Sequence, residues 1–493
     1  MNVATLLHRS ALRVPDRPAW IYADQQRSYA TVRQRVAALA AGFRRAGLAV
    51  GDRLVLVLPN NPDLYEALWA GLWAGLTVVP INRHLHAHEV AYIAEHCGAA
   101  AVIVSEETYP ATAELPATQT VIVTNSEQHK QLLNAKPASV QHVSLDTPAW
   151  LFYTSGTTGK PKGATLTHRN LLAMTLNYYA DVDSIADDAV FLHAAPLTHG
   201  SGLYLLPAVG RGAVNVISHA PRFDPEHYLS LIDCHSVTHG AFLAPTMLRR
   251  VTEAQQRCDR ELAHLRSFVI GGAPLYESDL QSAHETFGPI ITQMYGQGEA
   301  PMTISVMTPR DLPRTPDDPR WQSCGRPFTG VEVRVLDDGD GTGEICVRGD
   351  VIMSGYWNDA TATNATIVDD WLHTGDIGHF DEEGLLYLTD RAKDVIISGG
   401  SNVYPREVEE VLLSHKAISE AAVIGVPDQE WGESVWAYVV TTAPDAVSAA
   451  DLVDYTTQRL ASFKKPRQVI FVDQLPKSAN GKILKRELRE ATA

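Results

Sequence analysis

Predicted strands and helices alternate regularly through the first 300 residues of the chain. Short apolar runs such as RLVLVLP (53–59) and AAVIVS (100–105) have the length and composition of buried strands. Between such runs lie longer stretches with helical spacing of apolar residues, among them TVRQRVAALAAGFRRAG (31–47) and PDLYEALWAGLWAG (62–75). Parallel strands need a crossover connection, which a helix provides. The alternation therefore predicts an α/β fold, with a parallel sheet covered by helices on both faces.

The pattern changes to strands alone from about Gly330, where VEVRVLD and GEICVRG follow one another without a predicted helix. A charged stretch at 389–400 then precedes a tail of mixed helices and strands, whose helix SAADLVDYTTQRLAS begins with an S-x-x-D capping box. Because a chain of 493 residues exceeds the roughly 250–300 at which a single core stops growing, more than one domain is expected. We predict an N-terminal domain over 1–392 and an α+β domain over 393–493.

The formal net charge of −16 argues against nucleic acid or an anionic membrane surface as a partner, because both select for basic patches. The five cysteines form no C-x-x-C pair, which excludes a disulfide framework and a thiolate zinc site. The first twenty residues lack the apolar region of a signal peptide, and no run of about 18 apolar residues occurs. We expect a cytoplasmic protein with no transmembrane segment and small-molecule partners, and monomer and homodimer both stay open.

The stretch LFYTSGTTGKPKG (151–163) combines four Ser and Thr hydroxyls with three glycines and two lysines. Glycines allow backbone N–H groups to converge on an anion, and hydroxyl and ammonium groups add further donors. The stretch is not a P-loop, since Gly156 and Gly159 are too close together and Pro161 follows Lys160. It predicts a phosphate-binding loop of another kind.

Five separated segments carry a resemblance to one family: YTSGTTGKPKG (153–163), YGQGE (295–299), WLHTGD (371–376), DRAKD (390–394) and PKSANGK (476–482). In this order they resemble the motifs of adenylate-forming enzymes, the superfamily that includes the acyl- and aryl-CoA synthetases. The resemblance implies a large N-terminal domain of parallel α/β sheets with a β-rich subdomain, and a small mobile α+β domain. It also implies a reaction in which a carboxylate attacks the α-phosphate of ATP, pyrophosphate leaves, and a thiol then displaces AMP from the acyl-AMP.

The resemblance implies ATP, Mg²⁺ and coenzyme A as cofactor and co-substrates. Glu299 would bind Mg²⁺ and act as a catalytic residue. The phosphates would be held by the loop residues Thr154, Ser155, Gly156, Thr157, Thr158, Gly159 and Lys162. Tyr295 would stack on adenine beside the backbone of Gly271, Gly272 and Ala273, and Gly296 would be a further nucleotide contact. Asp376 and Arg391 would hold the ribose hydroxyls. One position departs from the family pattern, because Gly298 stands where a Thr usually precedes the Glu, which puts one phosphate contact in doubt.

Further residues are assigned by resemblance to the second domain. Lys482 would be the catalytic lysine that bridges the carboxylate and the α-phosphate. Lys393 would be the hinge at which the small domain turns between the two half-reactions. The tunnel for the pantetheine arm would be lined by Ser398, Gly399 and Gly400.

The resemblance also implies an acyl pocket, with His199 as a gate for the carboxylate and as a third catalytic residue. The pocket residues are His199, Phe242, Gly272, Met294 and Met302. No Lys or Arg is among them, so we expect a neutral aryl or medium-chain monocarboxylic acid as substrate. Arg222 could overturn this expectation if the fold brought it into the pocket.

Three functions stay open at this stage. An ATP-dependent acid:CoA ligase is favoured, because the chain has no fused carrier domain and resembles free-standing CoA ligases. A stand-alone adenylation enzyme that loads a carrier protein is the nearest alternative. A non-catalytic nucleotide-binding protein is the third, and the intact Lys162, Glu299 and Lys482 argue against it.

Overall fold

A computed structural model provides the structure of the chain. It describes residues 1–154, 161–273, 275–313, 315–337, 339, 341–391, 394–398, 401–428, 431–444, 446–460, 462–477 and 483–492. Within these ranges the side chains of residues 390, 391, 401, 402 and 463 are not described.

The first part of the chain alternates strands and helices, as the sequence predicts. Its elements are, in chain order, α1 (Thr5–Arg13), β1 (Pro18–Tyr22), β2 (Gln25–Ser28), α2 (Tyr29–Arg45), β3 (Arg53–Val57), α3 (Pro62–Ala74), β4 (Thr77–Pro80), α4 (Ala87–Cys97), β5 (Ala99–Val104), β6 (Val121–Val123), α5 (Glu127–Leu133), β7 (Pro148–Thr154), β8 (Lys162–Thr167), α6 (His168–Asn177), β9 (Val190–His193), α7 (Gly200–Leu203), α8 (Leu205–Arg211), β10 (Val214–Ile217), α9 (Pro225–Cys234), β11 (His239–Leu243), α10 (Pro245–Cys258), β12 (Ser267–Ile270), α11 (Glu277–Phe287) and β13 (Ile291–Tyr295).

The strands of this part form two sheets rather than one. The first sheet has the order β6-β5-β3-β4-β7-β8 and is parallel except for its edge, where β7 and β8 form an antiparallel pair. The second sheet contains the order β13-β12-β11-β9-β10-β1, which is parallel throughout, with antiparallel strands added at both ends. Burial on both faces explains why these strands read as continuous apolar runs.

The rest of the chain contributes two smaller sheets. Its elements are β14 (Ser305–Met307), β15 (Arg326–Pro327), β16 (Glu332–Asp337), β17 (Gly343–Arg348), α12 (Ala360–Thr366), β18 (Ile367–Val368), β19 (Trp371–Phe380), β20 (Leu386–Arg391), β21 (Ile396–Ser398), β22 (Ser401–Val403), α13 (Pro405–Leu413), β23 (Ile418–Asp428), β24 (Gly432–Thr441), α14 (Ala449–Thr457), β25 (Gln468–Phe471) and α15 (Lys485–Glu490). Strands β16 to β20 make an antiparallel third sheet, and β21 to β25 make the fourth.

The predicted fold class is confirmed, with parallel α/β sheets, a β-rich part and a C-terminal α+β unit built on the fourth sheet. The predicted capping box is also present at the start of α14, where Ser448 and Asp451 exchange side-chain-to-backbone hydrogen bonds. Because a capping box depends on residues only three positions apart, it can be read from the sequence.

Helix α3 lies in the largest core and is buried along its whole length after its first two residues. It contains one acidic residue in this buried stretch, Glu66, whose two carboxylate oxygens accept hydrogen bonds from Arg27 at 2.6 Å and Arg35 at 2.8 Å. Both partners are needed, because a buried carboxylate without a partner is strongly destabilising.

The C-terminal unit contacts the second sheet's helices through polar groups. Arg249 of α10 donates to Glu420 at 3.0 Å and to the Ser419 carbonyl at 2.9 Å. Tyr276 donates to Glu409 at 3.2 Å, and Arg406 donates to the Leu275 carbonyl at 3.1 Å. Separating the two parts of the chain at such polar contacts costs little free energy, because water replaces each hydrogen-bond partner.

None of the helices in the described ranges is long and apolar enough to cross a lipid bilayer.

A fully buried histidine at the end of β9 contacts the neighbouring strand β10 and helix α7. The His193 Nε2 lies 3.0 Å from the Asn215 Oδ1, and its Nδ1 lies 3.0 Å from the Ser201 hydroxyl oxygen. The Asn215 amide nitrogen already donates to the Ala19 carbonyl, so Asn215 Oδ1 is the acceptor and Nε2 carries the proton. Burial lowers the pKa of His193 to about 4, and the ring is neutral at pH 7.

This lowered pKa predicts that acid destabilises the fold. Unfolded histidine takes up a proton near pH 6.5, whereas folded His193 resists protonation down to about pH 4, so stability falls as the pH drops through that window. We expect His193 to account for about 1–2 kcal/mol of the loss between pH 7 and pH 5. The change in the free energy of unfolding is measured by urea unfolding at pH 7 and pH 5, with circular dichroism as the signal.

The comparison that isolates His193 uses two variants. His193→Gln cannot gain a proton, so its stability should fall less steeply between pH 7 and pH 5 than that of the wild type. His142→Gln is the matched control at an exposed position and should keep the wild-type slope. Equal slopes in all three proteins would contradict the assignment.

Candidate active site

The ends of the predicted phosphate loop are adjacent at the edge of the first sheet. Strands β7 and β8 pair antiparallel with Thr154 opposite Lys162, so the two residues that flank the predicted loop are neighbours. The predicted loop residues Ser155, Gly156, Thr157, Thr158 and Gly159 lie outside the described residues. The role of the loop in phosphate binding stays a prediction.

Tyr356 connects Lys162 to the predicted metal carboxylate. Its hydroxyl donates a hydrogen bond of 2.7 Å to Glu299 Oε1, and the Lys162 ammonium nitrogen lies 5.2 Å from the centre of its ring. The sequence analysis missed Tyr356, because a tyrosine in an irregular segment carries no local signal of such a contact. The structure thus brings Lys162 and Glu299 to the two ends of one side chain.

The oxygen groups here suit a magnesium ion. Mg²⁺ is bound in proteins by one or two carboxylates together with substrate phosphates. Glu299 Oε1 accepts the Tyr356 hydrogen bond, and Oε2 accepts none from the described residues. Glu299 therefore fits the predicted ligand, and the phosphate loop ends beside it.

Gly298, the departure from the family pattern, is enclosed by two side chains of β7. A Cβ atom at this position would lie 2.6 Å from the Thr154 methyl carbon and 2.9 Å from Phe152 Cδ1. Real Cβ atoms do not approach so closely. The Phe152 ring and the Thr154 methyl therefore occupy the space that a threonine would need.

The predicted adenine and ribose residues also meet. Tyr295 donates to Asp376 Oδ2 at 2.7 Å, and Gln297, which the sequence analysis did not single out, donates to the same oxygen at 2.6 Å. Burial, and then the charge of Asp376, raise the pKa of Tyr295 well above its ordinary value, so the phenol keeps its proton. Asp376 pairs with Arg391 across β19 and β20, and the Arg391 side chain is outside the described set.

Two of the predicted nucleotide-binding residues are glycines at positions that disfavour a side chain. Gly296 has no space for a side chain, since a Cβ would lie 2.5 Å from the Met302 backbone nitrogen. Gly272 has φ of 84°, which favours glycine, and its neighbour Ala273 continues the same turn. Adenine contact by these residues stays a prediction.

The predicted acyl-pocket residues contact one another. A Cβ on Gly272 would touch Phe242 Cζ at 3.2 Å, and the Phe242 ring stacks on Tyr204 at 6.0 Å between centroids. The Tyr204 hydroxyl donates to the Met294 sulfur. Behind them lies a small cavity without a charged residue in its wall, lined by Met174, Tyr178, Tyr204, Pro207, Met294, Met302, Thr303 and Phe328. Tyr204 is a pocket residue that the motifs did not indicate.

Met302 has an unusual backbone for a residue with a side chain. Its φ is 61°, in the left-handed region, and non-glycine residues there are uncommon. Backbone strain of this kind clusters at functional sites.

His199 contacts β7, the strand that precedes the predicted phosphate loop. Its ring meets the Phe152 ring edge-on at 5.5 Å, and its Nδ1 lies 3.1 Å from the Thr198 hydroxyl. Burial lowers the pKa of His199 to about 4. The imidazole is therefore neutral at pH 7 and adds no positive charge to the pocket.

Several predicted residues stand apart from this arrangement. Lys482, Lys393, Gly399 and Gly400 lie outside the described residues. Ser398 is described, buried at the end of β21 and paired with Gly432. Arg222 is exposed in the loop before α9, and no described contact links it to the pocket.

Comparison with known proteins gives consistent matches over the chain. The model of the AMP-binding enzyme family matches residues 7–357, and that of the AMP-binding enzyme C-terminal domain matches 407–482. A feruloyl-CoA synthase from Amycolatopsis sp is 36% identical, over 94% of this chain and 93% of the relative. The fatty acid–[acyl-carrier-protein] ligase ScoC from Streptomyces coeruleorubidus is 32% identical, over 97% and 93%.

One solved structure extends the comparison to the fold. The o-succinylbenzoate CoA synthetase (MenE) from Bacillus subtilis, in complex with the acyl-adenylate intermediate OSB-AMP, superimposes with a TM-score of 0.86. It is 32% identical, and the match covers 98% of this chain and 97% of that one.

The enclosure of Gly298 predicts a steric conflict in Gly298→Thr. Overpacking of this kind costs about 1–3 kcal/mol, so the variant should melt at a lower temperature than the wild type. Phe152→Ala removes the ring that the new side chain would meet. In a double-mutant cycle measured by thermal unfolding, Phe152→Ala should cost less in the Gly298→Thr background than alone. If the stability losses of Gly298→Thr and Phe152→Ala are strictly additive in the double variant, the steric conflict with Phe152 is excluded.

Proposed function

Because this chain belongs to the AMP-binding enzyme family, we propose that it is an ATP-dependent carboxylic acid:CoA ligase working through an acyl-AMP intermediate. The observation that carries the proposal is the meeting of Lys162 and Glu299 on Tyr356, which brings together a cation for the phosphates and a carboxylate for Mg²⁺. We propose that the acid binds near the uncharged side chains of Phe242, Tyr204 and Met294, where it can be joined to AMP.

The first half-reaction is proposed to occur between these two sites. A carboxylate oxygen attacks the α-phosphorus of ATP, the bond from that phosphorus to the bridging oxygen breaks, and pyrophosphate leaves. Lys162 and the loop after Thr154 hold the departing phosphates, and Glu299 holds Mg²⁺, whose charge offsets that of the triphosphate when it is bound. Asp376 is proposed to accept hydrogen bonds from the ribose, and the hydrogen bonds that it accepts from Tyr295 and Gln297 support this by fixing its carboxylate.

The second half-reaction is proposed to need a different placement of the C-terminal domain. The thiol sulfur of CoA attacks the acyl carbon and AMP leaves with the bonding electrons. We assign residues 1–392 and 393–493 to the two domains, Lys393 to the hinge, Lys482 to the first half-reaction, and Ser398, Gly399 and Gly400 to the CoA tunnel. The polar contacts of Arg249 and Tyr276 support this, since such contacts can break and re-form without exposing a core.

The substrate is proposed to be a neutral aryl or medium-chain monocarboxylic acid. Phe242, Tyr204, Met294 and Met302 present aromatic and thioether surface, and His199 is neutral. Arg222 is exposed and does not supply the missing positive charge. We place the enzyme in the cytoplasm, where ATP and CoA are available.

A second candidate function is the loading of an acyl group onto a carrier protein. It is favoured by the relative named as a fatty acid–[acyl-carrier-protein] ligase, which matches this chain almost end to end. The two functions share the first half-reaction and differ in the thiol.

A screen of carboxylic acids for pyrophosphate release, with and without CoA, tests the proposal. Benzoate-like or hexanoate-like acids should support release that CoA accelerates. A second carboxylate buried without a partner costs several kcal/mol, so kcat/KM for hexanoate should exceed that for malonate by about 10²-fold or more. Acid-dependent release that no thiol accelerates would favour carrier loading. If none of the acids supports pyrophosphate release, the ligase proposal is wrong. A higher kcat/KM for malonate than for hexanoate would contradict the neutral pocket.

The assignment of Lys482 predicts that the half-reactions separate. Lys482→Ala should reduce acid-dependent pyrophosphate release by about 10²-fold or more, the scale for losing one contact to a charged transition state. It should still convert a supplied acyl-AMP to acyl-CoA at close to the wild-type rate. Lys416→Ala, at an exposed position of the same domain, is the control and should change neither rate. Equal loss in both half-reactions would contradict the assignment.

A further inference from the structure

Tyr356 belongs to a segment that is fixed rigidly along the free edge of β8. Thr165 of β8 donates to the Gly355 carbonyl at 2.9 Å and accepts from the Ser354 backbone nitrogen at 3.0 Å. The Trp357 backbone nitrogen donates to the Gly163 carbonyl at 2.8 Å. These bonds continue the sheet ladder by one short stretch, and they fix the Tyr356 main chain relative to β8.

The same segment holds Glu299 at two points. The Met353 backbone nitrogen donates to the Glu299 carbonyl at 2.7 Å, and the Tyr356 hydroxyl donates to its carboxylate at 2.7 Å. Main chain and side chain of Glu299 are therefore both fixed relative to β8. Lys162 is the first residue of β8, so the lysine and the Glu299 carboxylate are both positioned by the same strand.

The phenol is a donor toward Glu299, because its hydroxyl donates to the carboxylate Oε1 at 2.7 Å. An ionised carboxylate only accepts hydrogen bonds, and a neutral hydroxyl donor leaves the full negative charge on Glu299.

The ring face has a corresponding effect on Lys162. An ammonium over an aromatic face is attracted without being neutralised. Within the described ranges Lys162 has no ion pair, so its N–H groups are available to an anion. A direct Lys162–Glu299 ion pair would instead use up both charges.

We propose that Tyr356 is a positioning residue that separates Lys162 from Glu299, so that each keeps its charge for the metal–triphosphate group of the substrate. The inference rests on the proposed function, because it takes Lys162 as a phosphate contact and Glu299 as the metal ligand. No motif of the sequence assigns Tyr356 this part.

Equilibrium binding of ATP by calorimetry, with Mg²⁺ and with EDTA, tests the proposal without turnover. The measured quantity is the Mg²⁺ gain, which is the dissociation constant of ATP in EDTA divided by that in Mg²⁺. Tyr356→Phe keeps the ring under Lys162 and loses only the hydrogen bond to Glu299. It should bind metal-free ATP within about threefold of the wild type, and its Mg²⁺ gain should fall about tenfold, since a hydrogen bond to a charged group contributes about 1.5–3 kcal/mol.

Tyr356→Leu removes the ring as well. It should weaken metal-free ATP binding by a further few-fold, because a cation–π contact at a partly exposed site contributes about 0.5–1 kcal/mol. Thermal unfolding verifies that the variants are folded. If Tyr356→Leu does not fold, the binding constants of Tyr356→Phe alone test the proposal.

The matched control is Tyr387→Phe, since the Tyr387 hydroxyl donates to the Asp381 carboxylate at 3.1 Å, outside the site. It should leave both dissociation constants unchanged. In the Glu299→Gln background, Tyr356→Phe should cause no further loss of the Mg²⁺ gain.

Two outcomes would overturn the proposal. One is a wild-type Mg²⁺ gain in Tyr356→Phe, which includes the case in which metal-free and Mg²⁺-dependent binding weaken equally, and the other is the same loss of the Mg²⁺ gain in the Glu299→Gln background. Failure of the proposed function is a separate result, recognised by a wild-type protein that binds Mg²⁺ and ATP and yet releases no pyrophosphate with any acid.

Discussion

The antiparallel edge of the first sheet is the constraint on which the candidate site depends. Strands β3, β4, β5 and β6 could form a complete parallel layer without it, but β8 reverses direction and pairs with β7. That reversal leaves Thr154 and Lys162 side by side, and it presents the outer edge of β8 to the segment 354–357. One strand therefore fixes the phosphate end of the site on one side and Tyr356 with Glu299 on the other.

Charge is handled locally in a chain that is acidic as a whole. The net charge of −16 would repel a nucleotide triphosphate at long range, so binding must rely on donors within contact distance. Glu66 illustrates one solution, in which a buried carboxylate is matched by two arginines. Lys162 and Glu299 illustrate the opposite one, in which opposite charges are kept from pairing. The first arrangement stabilises the core, and the second leaves charges available to a ligand.

The predicted acyl side of the site follows a different physical rule. Aromatic rings, thioethers and glycines form its walls, and His199 is held neutral by burial. The Phe152 ring joins the two halves, because it contacts His199 on one side and closes the space beside Gly298 on the other. The space that a threonine would need at position 298 is thus occupied by side chains of β7.

The sequence by itself determined the fold class and the order of its α/β and β-rich parts, and its five motifs predicted a phosphate loop and the positions of the site residues. These depend on periodicity and on short motifs, which backbone geometry ties to residues a few positions apart. It did not indicate the division of the strands into two large sheets, nor the contacts of Phe152, Tyr204, Gln297 and Tyr356. Tyr356 and Glu299 are 57 residues apart, and Lys162 is farther still from both. Only the order of strands in the sheets decides that such distant residues touch, because side-chain contacts between separate segments leave no periodic trace in the sequence.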